Sequence, residues 1–177
     1  MQLTINLPER SEQILFNRTR LQQVISDRSL ADLPFKIETN YSGQLLMTPP
    51  PSGSHSRRQG EIAFQLRSIL SGHSLPECPI STIDGVRAAD VGWYSASRFA
   101  GVEGQIAFEH APEICVEVIS PSNTRSELRH KRSLYFEAGA EEVWFCAEDG
   151  TLQFYLADGP ETSKAKSKRC PEFPARI

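Results

Sequence analysis

No stretch of this sequence is long and apolar enough to span a bilayer, since its hydrophobic runs fall far short of the roughly 20 residues a membrane helix needs. The opening residues, Met1 to Glu9, lack a basic segment leading into an apolar core. No secretory signal is therefore expected, and a cytoplasmic location is the default. Positive charge is not in excess either. Nineteen Lys and Arg against 22 Asp and Glu leave a formal charge of -3, which argues against a protein held on nucleic acid by bulk charge. Any such contact must come from a focused site. Cysteine is sparse: Cys78, Cys115, Cys146 and Cys170 form no CxxC pair and no Cys/His set with zinc spacing. Cys115 and Cys146 lie inside apolar runs and read as small buried hydrophobes. Glycine-rich phosphate loops and a Gly-x-Ser-x-Gly elbow are missing, so His55 with Ser120 and Ser122 does not read as a hydrolase triad. Those serines stand where a turn and a helix cap need them. No internal repeat and no Pro-rich or Gly/Ser linker divides the chain.

What is present is one ordinary domain's worth of sequence: 177 residues, 39% hydrophobic and 23% charged, enough to bury a core without disulfides. Ser11 to Ser26 reads as a helix, and Phe35 to Glu38 and Gln44 to Met47 as two strands joined by a turn at Gly43. After the Pro49-Pro50-Pro51-Ser52-Gly53 break, Ile62, Leu66, Ile69 and Leu70 recur at helical spacing and predict a helix from about Ser56 to Leu70. Short strands follow near Ile80 to Ile83 and Asp90 to Tyr94, and a stronger one over Ile114 to Ile119. Thr124-x-x-Glu127 opens a helix with a capping box that ends at Gly139. Val143 to Cys146 and Leu152 to Leu156 read as strands joined by the Glu148-Asp149-Gly150 turn. The class is mixed α/β, a sheet flanked by helices, with one domain over residues 1–157 and a polar, loosely held tail over 158–177.

The most informative segment is Pro112-Glu113-Ile114-Cys115-Val116-Glu117-Val118-Ile119-Ser120-Pro121-Ser122. Alternation in a strand places Ile114, Val116 and Val118 on one face and Cys115, Glu117 and Ile119 on the other. Glu117 is thus an acid among apolar residues on a strand that reads as buried. There it needs a metal ion, a lysine or an arginine, unless the strand is an edge and the side chain faces water. In the following helix Lys131 falls between Leu128 and Leu134 on the apolar side. It either turns its ammonium toward the sheet or pairs with Glu127 on the surface. Asp90 heads a short apolar and aromatic segment, either as a strand-start residue or as a second acid able to share a hard cation such as Mg²⁺ with Glu117.

These motifs together carry a resemblance. An Asp before a Trp-containing strand, Pro-Glu-(x)3-Glu-(x)2-Ser-Pro-Ser, a helix bearing Lys, and Ala-Gly-Ala-Glu-Glu-Val-Trp resemble the bacterial restriction-endonuclease family of the Uma-two type, in the PD-(D/E)xK nuclease-like superfamily. The resemblance spans about Phe35 to Tyr155 and is most specific over Glu113 to Trp144. It implies a restriction-endonuclease-like fold with a central mixed β-sheet flanked by helices. It also implies a Mg²⁺- or Mn²⁺-dependent endonuclease acting on DNA as a homodimer. Asp90 and Glu117 become the metal-holding acids. The superfamily's lysine would fall at Ile119; Lys131 on the next helix matches in its stead. Glu38 resembles a glutamate that closes the acidic cluster, and Glu113 a frequent acid that points outward. Arg57, Arg58, Gln59 and Glu61 correspond to polar residues near the substrate, though a solvated helix face accounts for them as well. Ala89 replaces a proline, and Ala147 stands where an Asp is usual. The competing reading is a catalytically silent nuclease-fold module that binds nucleic acid or a partner. An RNA-directed nuclease would share the same chemistry.

Overall fold

The computed structural model describes residues 9–177. In chain order the elements are helices α1 (Arg10–Ser26) and α2 (Arg28–Ala31), strands β1 (Lys36–Thr39) and β2 (Leu45–Thr48), helix α3 (Gly53–Ile69), strands β3 (His73–Thr82) and β4 (Gly85–Tyr94), helix α4 (Ala96–Ala100), strand β5 (Ile114–Val118), helix α5 (Arg125–Glu137), and strands β6 (Glu142–Cys146), β7 (Leu152–Leu156) and β8 (Gly159–Lys164). A six-stranded sheet runs in the order β3-β4-β5-β6-β7-β8, and β1 and β2 form a separate hairpin. Only β5 and β6 are parallel, as the crossover through α5 requires; the other neighbours are antiparallel. Among the described residues, no helix is long and apolar enough to cross a membrane.

Alternation along the central strands divides the core in two. On one face Ile62 and Leu66 of α3 pack with Val91, Trp93, Val116, Val118, Trp144 and Phe154. On the other, Tyr94, Cys115, Val143 and Phe145 meet Leu128 and Tyr135 of α5. Each such large side chain, fully buried, stabilises the fold by about 1.5–3 kcal/mol. All four cysteines are free and buried, as small core hydrophobes.

Local signals set the helix ends. The Ser52 side chain accepts from the His55 N–H, so α3 starts at Gly53, earlier than its apolar spacing alone suggests. The Thr124–Glu127 capping box opens α5, and Gly139 follows its C-cap at φ 103°. β3 and β4 are each ten residues long, well beyond the short strands expected. Pro76 and Pro79 argue against a strand, yet β3 lies at the sheet edge, where a missing N–H is tolerated. The β1–β2 hairpin docks on β4 through side chains: Glu38 Oε1 accepts from the Ala88 N–H at 2.9 Å, and Thr39 Oγ1 from the Val86 N–H at 3.0 Å. The approach is so close that a Cβ on Gly85 would stand 2.2 Å from the Thr39 carbonyl.

Two expectations need correction. The segment after Asp158 is not loose, because Gly159–Lys164 adds strand β8 to the sheet, and Cys170 and Phe173 are buried against Trp144. Polar residues suit this outer strand, which is why composition did not reveal it. Buried Glu142 pins the segment that follows, accepting from Trp144 Nε1 (2.8 Å), Ser167 Oγ (2.7 Å) and the backbone N–H groups of Lys168 (2.9 Å) and Arg169 (2.6 Å). Glu113 does not point outward either. Its side chain is 3% exposed and accepts from the Ser95 N–H at 3.0 Å, with Arg98 and Arg169 beside it at 3.5 Å.

Candidate active site

The β4–β5 ladder has rungs Val91↔Val116, Gly92↔Cys115 and Trp93↔Ile114. One step beyond the Val91↔Val116 rung, the register sets Asp90 opposite Glu117. The strands part there, and Asp90 Oδ2 accepts the Val118 N–H at 2.8 Å. Both carboxylates line a cavity of about 370 Å³, walled also by Lys36 and Glu38, the Thr48–Ser52 segment, and Lys131. Four of the residues expected to act together thus converge from β1, β4, β5 and α5.

Leu128, Lys131 and Tyr135 share one face of α5, the face turned to the sheet. Lys131 Nζ lies 3.1 Å from Glu117 Oε2 and 3.4 Å from Glu38 Oε1, and does not pair with Glu127. The Tyr135 hydroxyl donates to Glu117 Oε1 at 2.5 Å. Glu117 is buried on a central strand, which removes the water-facing alternative. Burial pushes its pKa well up and Asp90 adds to the rise; the Lys131 ammonium opposes both without cancelling them. Burial works the same way on Asp90, but there the contact with His55 and the Lys36 ammonium outweigh it and hold the carboxyl below its usual range. Glu38 is also held low despite burial, by Lys131 and the Ala88 N–H. Desolvation disfavours the Lys131 ammonium, yet Glu117 and Glu38 more than restore it and keep it charged.

Three residues of this site escaped sequence reasoning. Lys36 Nζ sits 3.1 Å from Asp90 Oδ1 and 2.8 Å from Glu77 Oε2. His55 Nε2 is 3.2 Å from Asp90 Oδ2. Glu77 lies on β3 at the cavity wall. The available signal for Lys36 was its place two residues before Glu38, on the same face of β1. The arginines of α3 lie off the cavity wall: Arg57 is exposed, and Arg58 donates to the carbonyls of Ser54 and Glu148. Gln59 is buried behind the site, donating to the Asp90 carbonyl at 2.8 Å and to Glu77 Oε1 at 2.9 Å.

Among the described residues, no three of His, Cys, Asp and Glu are grouped so as to cage a metal unaided. A hard cation such as Mg²⁺ does not need a cage, because it keeps several waters and takes only one or two protein carboxylates. Asp90 and Glu117 are two carboxylates facing the same cavity. Five carboxyl residues, Glu38, Glu77, Asp90, Glu117 and Glu127, line the cavity with two lysines, Lys36 and Lys131, and His55, so acids outnumber bases around it. This donor set suits an oxygen-liganded divalent cation.

Over residues 28–170 the sequence matches the Uma2 family, described as "Putative restriction endonuclease". A crystal structure from Anabaena variabilis ATCC 29413, described as a putative nuclease belonging to DUF820, superimposes with a TM-score of 0.64. The two are 19% identical, over 81% of this chain and 82% of that one, a likeness of fold. No curated protein matches the chain.

Proposed function

The chain belongs to the Uma2 family of putative restriction endonucleases, and from that premise we propose that it is a metal-dependent endonuclease hydrolysing DNA phosphodiester bonds in the Asp90–Glu117 cavity. The observation that carries this reading is the convergence of Asp90, Glu117, Lys131 and Glu38 on one cavity from four separate elements. Asp90 and Glu117 are the residues that would hold Mg²⁺ or Mn²⁺. Such an ion, when bound, supplies Lewis acidity to the scissile phosphate and lowers the pKa of a water. Lys131, fixed between Glu117 and Glu38, orients the attacking water and neutralises charge that develops on the phosphoryl oxygens. The two acids beside it favour the charged ammonium, which suits a role by charge and position. Glu38 holds that ammonium in place, and Tyr135 fixes the rotamer of Glu117. By resemblance to nucleases that address both strands of a duplex, the functional unit in this reading is a homodimer, which sedimentation at working concentration checks.

The test is cleavage of plasmid, linear duplex, single-stranded DNA and RNA with Mg²⁺ or Mn²⁺, beside a Glu117→Ala control. The expected result is cleavage of DNA by the native chain and none by the variant. Undiminished cleavage by Glu117→Ala refutes the assignment. One observation favours a second reading, the catalytically silent nuclease-fold module: each acid of the site already has a lysine, a histidine or a hydroxyl within hydrogen-bonding or ion-pair reach. A closed ion network of that kind gains no thermal stability from millimolar Mg²⁺, whereas a metal-holding pair does.

A further inference from the structure

Asp90 is contacted by two basic side chains on different oxygens. Its Oδ2 meets His55 and the Val118 N–H, and its Oδ1 meets Lys36. The Lys36 ammonium also touches Glu77 at 2.8 Å and is largely enclosed, so it occupies a cation position between two carboxylates. Glu77 is held to that task. It is the one non-glycine residue with positive φ (51°) among those described, and Gln59 fixes its carboxylate from behind. Backbone strain of this kind persists only where the surroundings over-determine it. On the far side of Asp90, Glu117 faces the same cavity. Asp90 thus stands between two cation positions, as the shared carboxylate of a two-ion phosphodiesterase would.

Resting on the metal-dependent reading above, we infer that Lys36 supplies the second positive charge of this site, in the Asp90–Glu77 position, and that the chain therefore takes one divalent cation where a two-ion nuclease takes two. The ammonium arrives on the β1–β2 hairpin, whose Glu38, two residues on and on the same face of β1, holds Lys131. One short strand thereby sets both ammoniums of the site. Lys36 is a positioning group for the phosphate and the first cation; the hairpin makes its charge permanent, with no second ion to recruit.

Titration of the full chain with Mn²⁺ alone tests this, by calorimetry and by counting bound Mn²⁺ from its paramagnetic signal. The native chain binds one equivalent, Glu117→Ala binds none, and Lys36→Met binds two. Removing the acid as well, in Lys36→Met with Glu77→Gln, returns the count to one. Should Lys36→Met fail to melt cooperatively, Lys36→Gln, whose amide can still donate to Asp90, carries the same expectation. Two equivalents on the native chain overturn the inference and leave the metal-dependent reading standing. One equivalent on the Lys36 variant, at any affinity, overturns it as well, because Lys36 would then occupy no position of its own. No binding to the native chain removes the metal-dependent reading itself.

Discussion

Glu113 and Glu117, at the two ends of β5, are both buried, yet they are built into opposite kinds of surroundings. Glu113 accepts a backbone N–H and lies beside two arginines, and neighbouring Glu142 accepts two backbone N–H groups, an indole and a hydroxyl. Backbone donors cannot swing away, so this end is a fastener that closes the C-terminal segment onto the sheet. Among the described residues Glu117 has no backbone partner; it is held by the Lys131 ammonium and the Tyr135 hydroxyl, both side chains able to re-aim, and it faces a cavity. Size does not separate the two ends, because the cavity beside Glu142 measures about 420 Å³ against about 370 Å³ at Glu117. Partner type does. Glu113 and Glu142, tied to backbone donors, serve the fold, and Glu117, held by movable side chains at an opening, is available for chemistry.

The sharpest contrast is in catalysis. Lys131→Met lowers the Mg²⁺-dependent cleavage rate by about 10²–10³-fold, as expected for loss of a charge that acts on the transition state, measured as single-turnover rates on plasmid DNA. At the fastener end the effect falls on stability. Glu142→Ala leaves four donors without their acceptor and costs on the order of 3–5 kcal/mol in urea unfolding. It leaves the cleavage rate per folded molecule unchanged, and a matching loss of rate would dissolve the distinction between the two ends. Smaller again is Tyr135→Phe, which removes one hydrogen bond to a charged group and costs about 1.5–3 kcal/mol by the same measurement.

The parts of this arrangement that were legible in the sequence are those set by local rules. Strand alternation marked Glu117 as an acid on a buried strand, and helical spacing put Lys131 beside Leu128 and Leu134. The Thr124–Glu127 box marked where α5 begins. Lys36 and His55 were not legible because their meeting with Asp90 depends on how a separate hairpin and the start of α3 dock over the sheet; the Lys36–Asp90 contact spans 54 positions. Glu77 was hidden between Pro76 and Pro79, which argue against a strand until the edge position of β3 is known. The C-terminal segment was misjudged for a related reason. Its polar residues form an outer strand, and what holds the rest is a buried acid on β6 binding its backbone, an interaction with no local signature.

The matched pair Glu113→Gln and Glu117→Gln tests the distinction most directly, each assayed for Mg²⁺-dependent cleavage of plasmid DNA after cooperative melting shows it folded. The account predicts that the Glu113 variant, however much its melting temperature falls, cuts at the native rate, while the Glu117 variant does not cut. Cleavage by the Glu117 variant at the native rate would contradict it.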